Sequence, residues 1–229
     1  MDSPLTSLAA TVRTELIHLD GVTKFSPNRR FATIYSEGSP ADTIFFLDSG
    51  LVKIYKRGAD TKEVILQILG AGELFGEQAI GTEGSRTIAA EVLQEGTIYA
   101  IPRGIFLGVC ERRPELWRDI SALLVARKRE LEKKIELLCL HDVEYRILYY
   151  MAELARVFGA TSNGSECSIP LSQGELASMI GATRETTSTT LNTLARQGVI
   201  RLGRRQLIVP SIDGVLAAAN HKSKAARVS

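Results

Sequence analysis

The feature that most restricts the fold is the stretch 114–140, PELWRDISALLVARKRELEKKIELLCL, which has no glycine and no proline after its first residue. Strong helix formers fill it, so one helix of about 40 Å is expected at a rise of about 1.5 Å per residue. Leu124, Leu131 and Leu138 recur every seven residues, and Ile135 joins them. Residues at that interval share one edge of a helix, and an apolar edge of this kind suits pairing with a second copy of the chain. A homodimer seam at Leu124, Leu131, Ile135 and Leu138 is therefore expected, with Lys128 interrupting it. The charged run RKRELEKK inside the same helix reads as a solvated face with some i,i+4 pairs.

The patterning differs on either side of this helix. From about residue 20 to 108 there are short β-compatible runs, FATIYSEG, DTIFFLDSG, LVKIYKRGAD, EVILQILGAG and AAEVLQEGTIYAI, separated by turn signals. Short strands that must each turn back predict a compact antiparallel barrel or roll. After Asp142 a second helix, EYRILYYMAELARVFG, is expected to end at Gly159, and ATSNGSECS reads as a loop marking a break. In SQGELASMIG, Ser172 and Glu175 form a capping box, with Gly181 as the stop. A further helix, TRETTSTTLNTLARQG, opens at Thr183 and closes at Gly198. Two short helices joined by a tight glycine-containing turn are a helix-turn-helix. VIRLGRRQLIVPS then reads as a hairpin, a wing with Gly203, Arg204 and Arg205 at its tip. The residues from 214 onward show little pattern and are expected to be partly disordered. The expected class is α+β, with a β-roll sensor domain (1–111), a dimerisation helix (112–140), a winged helix-turn-helix domain (141–213) and a tail (214–229).

Composition narrows the function. The chain is 45% hydrophobic and 24% charged, within the globular range. No run approaches the ~18 apolar residues of a membrane span, and the opening MDSPLTSLAA lacks signal-peptide order, so a cytoplasmic protein without a membrane partner is expected. Cys110, Cys139 and Cys167 include no C-x-x-C pair, which argues against a disulfide framework, a zinc ribbon or a four-cysteine cluster. His18, His141 and His221 are isolated, so no metal site is expected. With no Walker loop and no nucleophile–base pair, the chain does not read as an enzyme.

The net charge of +2 conceals an asymmetry. From Arg184 to the end there are eight basic residues and two acidic ones, +6, and the remainder carries 20 basic and 24 acidic, −4. Such a division is a footprint of a nucleic-acid-binding module. Positions 184, 185, 188 and 189 share one outward face of the second helix, and a recognition helix presents its N-terminal residues to base edges. Arg184 can fork onto guanine O6 and N7, Glu185 can accept from cytosine N4, and Ser188 or Thr189 can reach phosphate or base. Arg204 and Arg205 suit phosphates or a minor groove, adding affinity and salt dependence.

The segment SQGELASMIGATRETTSTTLNTLARQGVIRLGRRQLIV resembles the winged helix of the bacterial cyclic-AMP receptor protein and fumarate-nitrate regulator family. The likeness extends over almost the whole chain, through SEGSPADTIFFLDSGLVKIYK, GELFGEQAIGTEGSRT, the long helix and LHDVEYRIL. It implies a homodimeric transcription regulator that binds double-stranded promoter DNA at a pseudo-palindromic site and recruits or blocks RNA polymerase. Arg184 and Glu185 match the family's two principal base-reading positions, whereas Thr189 stands in place of a second arginine. Thr187 and Thr190 replace residues that are usually apolar. The resemblance also implies a phosphate-binding cassette for a cyclic nucleotide, cyclic AMP or a relative, at Gly76, Glu77, Arg86 and Thr87. Leu131 and Glu132 fall where the cyclic-AMP receptor places two hydroxyl residues against adenine, and neither side chain can make the same contacts. A cyclic nucleotide, another small effector and no ligand all stay open on these residues, and Glu77 and Arg86 could simply pair with each other.

Overall fold

The computed structural model describes residues 4–27, 29–58, 62–81, 84–158 and 166–226. The chain forms two compact units, 1–131 and 132–229. Their division falls within the long helix, between Leu131 and Glu132, so the helix is shared between the units.

The first unit is built on two four-stranded antiparallel sheets. Its elements are α1 (Pro4–Thr14), β1 (Thr23–Phe25), β2 (Thr33–Tyr35), β3 (Thr43–Leu47), β4 (Leu51–Arg57), β5 (Glu63–Leu69), β6 (Glu73–Phe75), β7 (Ala89–Gln94), β8 (Ile98–Pro102), α2 (Arg103–Arg112) and the start of α3 (Glu115–Leu140). One sheet runs β1-β8-β3-β6 and the other β2-β7-β4-β5. The continuous apolar run of β3 follows from burial on both faces, because alternate side chains point to opposite sides of a strand. Phe45 and Leu47 join Tyr35, Val52, Ile54 and Phe75 in one core. Ile44 and Phe46 join Leu8, Val12, Phe106, Val109, Leu116, Ile120 and Leu123 of α1, α2 and α3 in the other. The expected antiparallel roll is thus present, and α1 and α2 are helices that the strand-and-turn pattern did not indicate.

The second unit contains the end of α3, then α4 (Val143–Val157), β9 (Cys167–Ile169), α5 (Gln173–Ile180), α6 (Arg184–Arg196), β10 (Arg201–Gly203), β11 (Gln206–Val209) and α7 (Ile212–Ala226). Asp142 caps α4 by accepting from the Tyr145 amide at 2.9 Å. The hairpin β10–β11 is extended by β9 into a three-stranded sheet. Cys167 and Ser168, read above as loop, therefore lie in a strand; the rest of that loop from Ala160 to Ser165, with Gly159, lies outside the described residues. A second correction concerns the tail. Residues up to Ala226 form α7, with Ile212, Val215 and Ala219 buried and α4 as its packing partner. Its alanine-rich turn has weak hydropathic contrast, so only the presence of a receiving face on α4 reveals the helix. Lys222 fastens it with ion pairs to Asp142 at 3.1 Å and Glu144 at 2.9 Å. Residues 227–229 lie outside the described residues.

The capping box of α5 is complete. Ser172 Oγ accepts from the Glu175 amide at 3.2 Å, and Glu175 Oε2 accepts from the Ser172 amide at 2.7 Å. Ser172→Ala is expected to cost about 1 kcal/mol and Ser172→Gly only a few tenths, readable in urea unfolding. Equal stability of Ser172→Ala and wild type would show the cap to be dispensable.

Candidate effector and nucleic-acid sites

The cassette lies in the first unit, between β6 and β7. Gly76 has φ +76°, and a Cβ there would stand 2.9 Å from Arg86 Nη1 and 3.2 Å from Thr43 O. Only a glycine meets both the left-handed backbone and the close approach. A 3-10 turn, Glu77–Ile80, follows it. Arg86 is 2% exposed. Its Nη1 donates to Gly76 O at 2.9 Å and its Nη2 to Thr43 O, while its buried Nε has no hydrogen-bond partner. The guanidinium carbon sits 4.4 Å from the Tyr35 ring centre. Burial pushes the guanidinium pKa down, opposed by Tyr35, Asp42 and Glu77. Thr87 is exposed and held by Gln78, whose Nε2 donates to Thr87 Oγ1 at 2.6 Å.

Glu77 and Arg86 do not form an ion pair with each other. Glu77 instead meets Arg127 of α3, Nη1 to Oε1, at 3.4 Å. Arg127 also donates to Gln67 Oε1 at 3.0 Å and to Leu74 O at 2.6 Å, and Glu130 accepts from Gln67 at 2.6 Å. The run RKRELEKK is therefore not a uniformly solvated face: Arg127 and Lys134 are buried. Burial pushes the Lys134 ammonium down to about 8, and its Nζ lies 5.8 Å from the Tyr150 ring centre. Charge marks a residue as hydrophilic in sequence, but the helical stripe on which it falls decides what it touches. Arg127 is the residue beside the cassette that sequence reasoning missed, and its signal was its place four residues after Leu123 on the core-facing stripe.

On the opposite edge of α3, Leu124, Leu131, Ile135 and Leu138 are 41–61% exposed. Trp117, seven residues before Leu124, is exposed as well and lengthens the seam. Leu131 belongs to this seam, and Glu132 beside it is exposed.

In the second unit, Thr183 caps α6 by accepting from the Thr186 amide at 3.1 Å. Leu191 and Leu194 anchor the helix in the core. Thr187 takes a fully buried position because its hydroxyl donates to Thr183 O at 2.8 Å, which leaves the methyl group to pack. Thr190 donates to Thr186 O at 2.8 Å in the same way. Thr187 therefore accepts the seat of an apolar residue, whereas Thr190 is only half-buried. Arg184, Glu185 and Thr189 are exposed and Ser188 is half-buried. Gly174 of α5 leaves room for the Arg184 side chain, since a Cβ there would stand 2.9 Å from Arg184 Nε. Arg204 and Arg205 are exposed at the hairpin tip, and Arg205 has φ +56°. The three cysteines are free, and among the described residues no group of His, Cys, Asp or Glu could hold a metal. Among the described residues no helix is long and apolar enough to cross a membrane.

A roll with a phosphate-type cassette, joined by a long helix to a winged helix-turn-helix, defines the class of DNA-binding transcription regulators that carry a ligand-sensing domain. Residues 28–113 match the cyclic nucleotide-binding domain, and 145–217 match the Crp-like helix-turn-helix domain. The chain is 32% identical over 178 residues to a CRP-like cAMP-activated global transcriptional regulator of Mycobacterium tuberculosis, covering 77% of this chain and 80% of that one. It is 31% identical to a cyclic AMP receptor protein of Thermus thermophilus, covering 74% and 76%. The solved structure of FixK2 from Bradyrhizobium japonicum has the same fold, with a TM-score of 0.74, 23% identity and coverage of 86% and 96%. The chain belongs to the CRP/FNR family of transcription regulators.

Proposed function

We propose that this regulator acts as a cytoplasmic homodimer that binds a two-fold-symmetric promoter site and recruits or blocks RNA polymerase. The observation that carries the reading is the exposed seam Leu124–Leu131–Ile135–Leu138 on a helix shared by the sensing and DNA-binding units. Pairing along it buries apolar surface that a monomer leaves in water. Each protomer then offers Arg184, Glu185, Ser188 and Thr189 to base edges and Arg204 and Arg205 to phosphates. Two-fold symmetry places the recognition helices about 34 Å apart, in successive major grooves. Sedimentation at micromolar concentration is expected to give a dimer, and selection from random DNA a palindromic motif. A monomer that enriches no motif, with or without nucleotide, overturns the proposal.

The effector class we favour is a cyclic nucleotide, with cyclic AMP as the first candidate because the Mycobacterium relative is named as cAMP-activated. The phosphate side of the cassette fits it: Gly76 is bare, and Arg86 keeps an unused buried N–H. A bound nucleotide supplies a phosphodiester anion for Arg86 and a ribose hydroxyl for Glu77. Leu131 and Glu132 offer no donor to adenine, so base recognition differs from that of the cyclic-AMP receptor. Arg127 joins α3 to Glu77, and a ligand that competes for Glu77 would alter how the two copies of α3 pair. The same interaction favours a second reading, a constitutive regulator in which Arg127 already fills the ligand's place. Calorimetry with cyclic AMP, cyclic GMP and a cyclic dinucleotide separates the two. Binding that is abolished in Arg86→Ala and that tightens DNA affinity supports the effector; no binding together with high DNA affinity supports the constitutive form.

A further inference from the structure

We propose that Tyr35 is a ligand-contact residue of the roll, its hydroxyl acting with the Arg86 Nε–H as a pair of donors for the phosphate oxygens of a bound phosphodiester. This inference rests on the effector reading above and adds a residue to it. Tyr35 closes β2 and is 8% exposed. Its ring stacks on Phe45, with centroids 5.5 Å apart, and lies near Phe75 at 6.3 Å. It also covers the guanidinium of Arg86 at 4.4 Å. A ring over the face of a guanidinium leaves the N–H edge as the only direction for hydrogen bonds. Nη1 and Nη2 each use that edge for a carbonyl, and Nε has no hydrogen-bond partner.

The Tyr35 hydroxyl makes no hydrogen bond to the described residues either, and, unlike Nε, it is not fully enclosed. The stack with Phe45 and Phe75 fixes the ring while the hydroxyl stays accessible, as a ligand contact requires. Burial, reinforced by the Glu77 carboxylate, holds the phenol proton on well above the ordinary tyrosine range. At neutral pH the hydroxyl therefore carries a proton to donate. A buried N–H without a partner and an accessible hydroxyl from stacked neighbours, beside the bare backbone of Gly76, match the negative oxygens of a phosphodiester. They do not match a neutral ligand, which would gain little from the buried cation.

Calorimetry on the full-length protein with cyclic AMP and cyclic GMP tests the assignment. Tyr35→Phe is expected to weaken the tighter of the two by about tenfold, the scale of one hydrogen bond to a charged group. Its unfolding temperature should stay equal, since the ring and its stack remain. The Rp and Sp phosphorothioate analogues of cyclic AMP supply a readout that a packing role would not move. Sulfur at the oxygen that Tyr35 reaches should erase the difference between wild type and Tyr35→Phe for one diastereomer only. Equal affinities of wild type and Tyr35→Phe, or an equal penalty for both diastereomers, overturn the role of Tyr35. If Arg86→Ala still abolishes binding in that case, the effector reading stands without it. If the wild type binds neither of these nor a cyclic dinucleotide, both readings fall together.

Discussion

Arg127→Ala is expected to destabilise the first unit by about 3 kcal/mol, at the lower end of the range for breaking a buried charged network by removing one partner. In a unit of this size that corresponds to a fall in Tm of roughly 10 °C. The loss has four parts. The Leu74 carbonyl and the Gln67 amide oxygen each lose a donor, and Glu77 loses its cation. Glu73, whose carboxyl is already raised by desolvation, also loses a stabilising charge and should titrate higher still. Arg127→Lys should recover part of the stability, because a lysine keeps the charge but cannot hold several acceptors in one fork. Calorimetric unfolding of the two variants measures this. A change below about 2 °C for Arg127→Ala would mean that α3 docks on the roll through its leucine and isoleucine side chains alone.

The second large effect concerns DNA. Arg184→Ala should weaken the preferred site by about 1–3 kcal/mol, roughly 5- to 150-fold, and relax the choice of base at one pair in each half-site. Arg205→Ala should weaken preferred and random sequences alike and flatten the dependence of log K on log salt by about one unit for each phosphate the arginine neutralises. The contrast follows from position: Arg184 opens the first turn of a helix that presents polar residues outward, whereas Arg205 sits at the exposed turn of a hairpin. Binding titrations on the selected motif, on single-base variants and across salt concentrations distinguish them. If Arg184→Ala leaves the motif unchanged, α6 does not read bases through that residue.

Much of this protein was legible in its sequence because the signals were local. A cap needs a hydroxyl and an acid three residues apart, so Ser172 and Glu175 announce the start of α5 before any tertiary contact forms. Gly181 and Gly198, with φ of +65° and +73°, end their helices for reasons of backbone sterics alone. The seven-residue spacing of Leu124, Leu131 and Leu138 likewise sets an exposed apolar edge, since helical geometry fixes which residues align. The polar opening of α6 placed Arg184 and Glu185 outward for the same reason.

Where partners come from distant segments, sequence spacing was silent. Helical spacing puts Arg127 on the stripe of Leu123 and Arg129 off it, but only the folded chain shows that Arg127 is buried against β5 and β6 whereas Arg129 is exposed. Glu77 and Arg86 are close enough in the chain to suggest a pair; folding instead gave Glu77 to Arg127 and directed Arg86 to two carbonyls and the Tyr35 ring. Tyr35 itself carried no motif. Its stack on Arg86 exists because β2 and the segment before β7 meet only when the roll closes. The tail became α7 because α4 offers a face for Ile212, Val215 and Ala219. The sequence by itself determined the succession from roll to long helix to helix-turn-helix and hairpin, the caps of α5 and α6 and the outward face of α6, the last two of which depend on neighbours within about one helical turn. The tertiary structure alone decided which charges were buried and what they hold, because burial and pairing depend on surfaces that meet only in the folded chain.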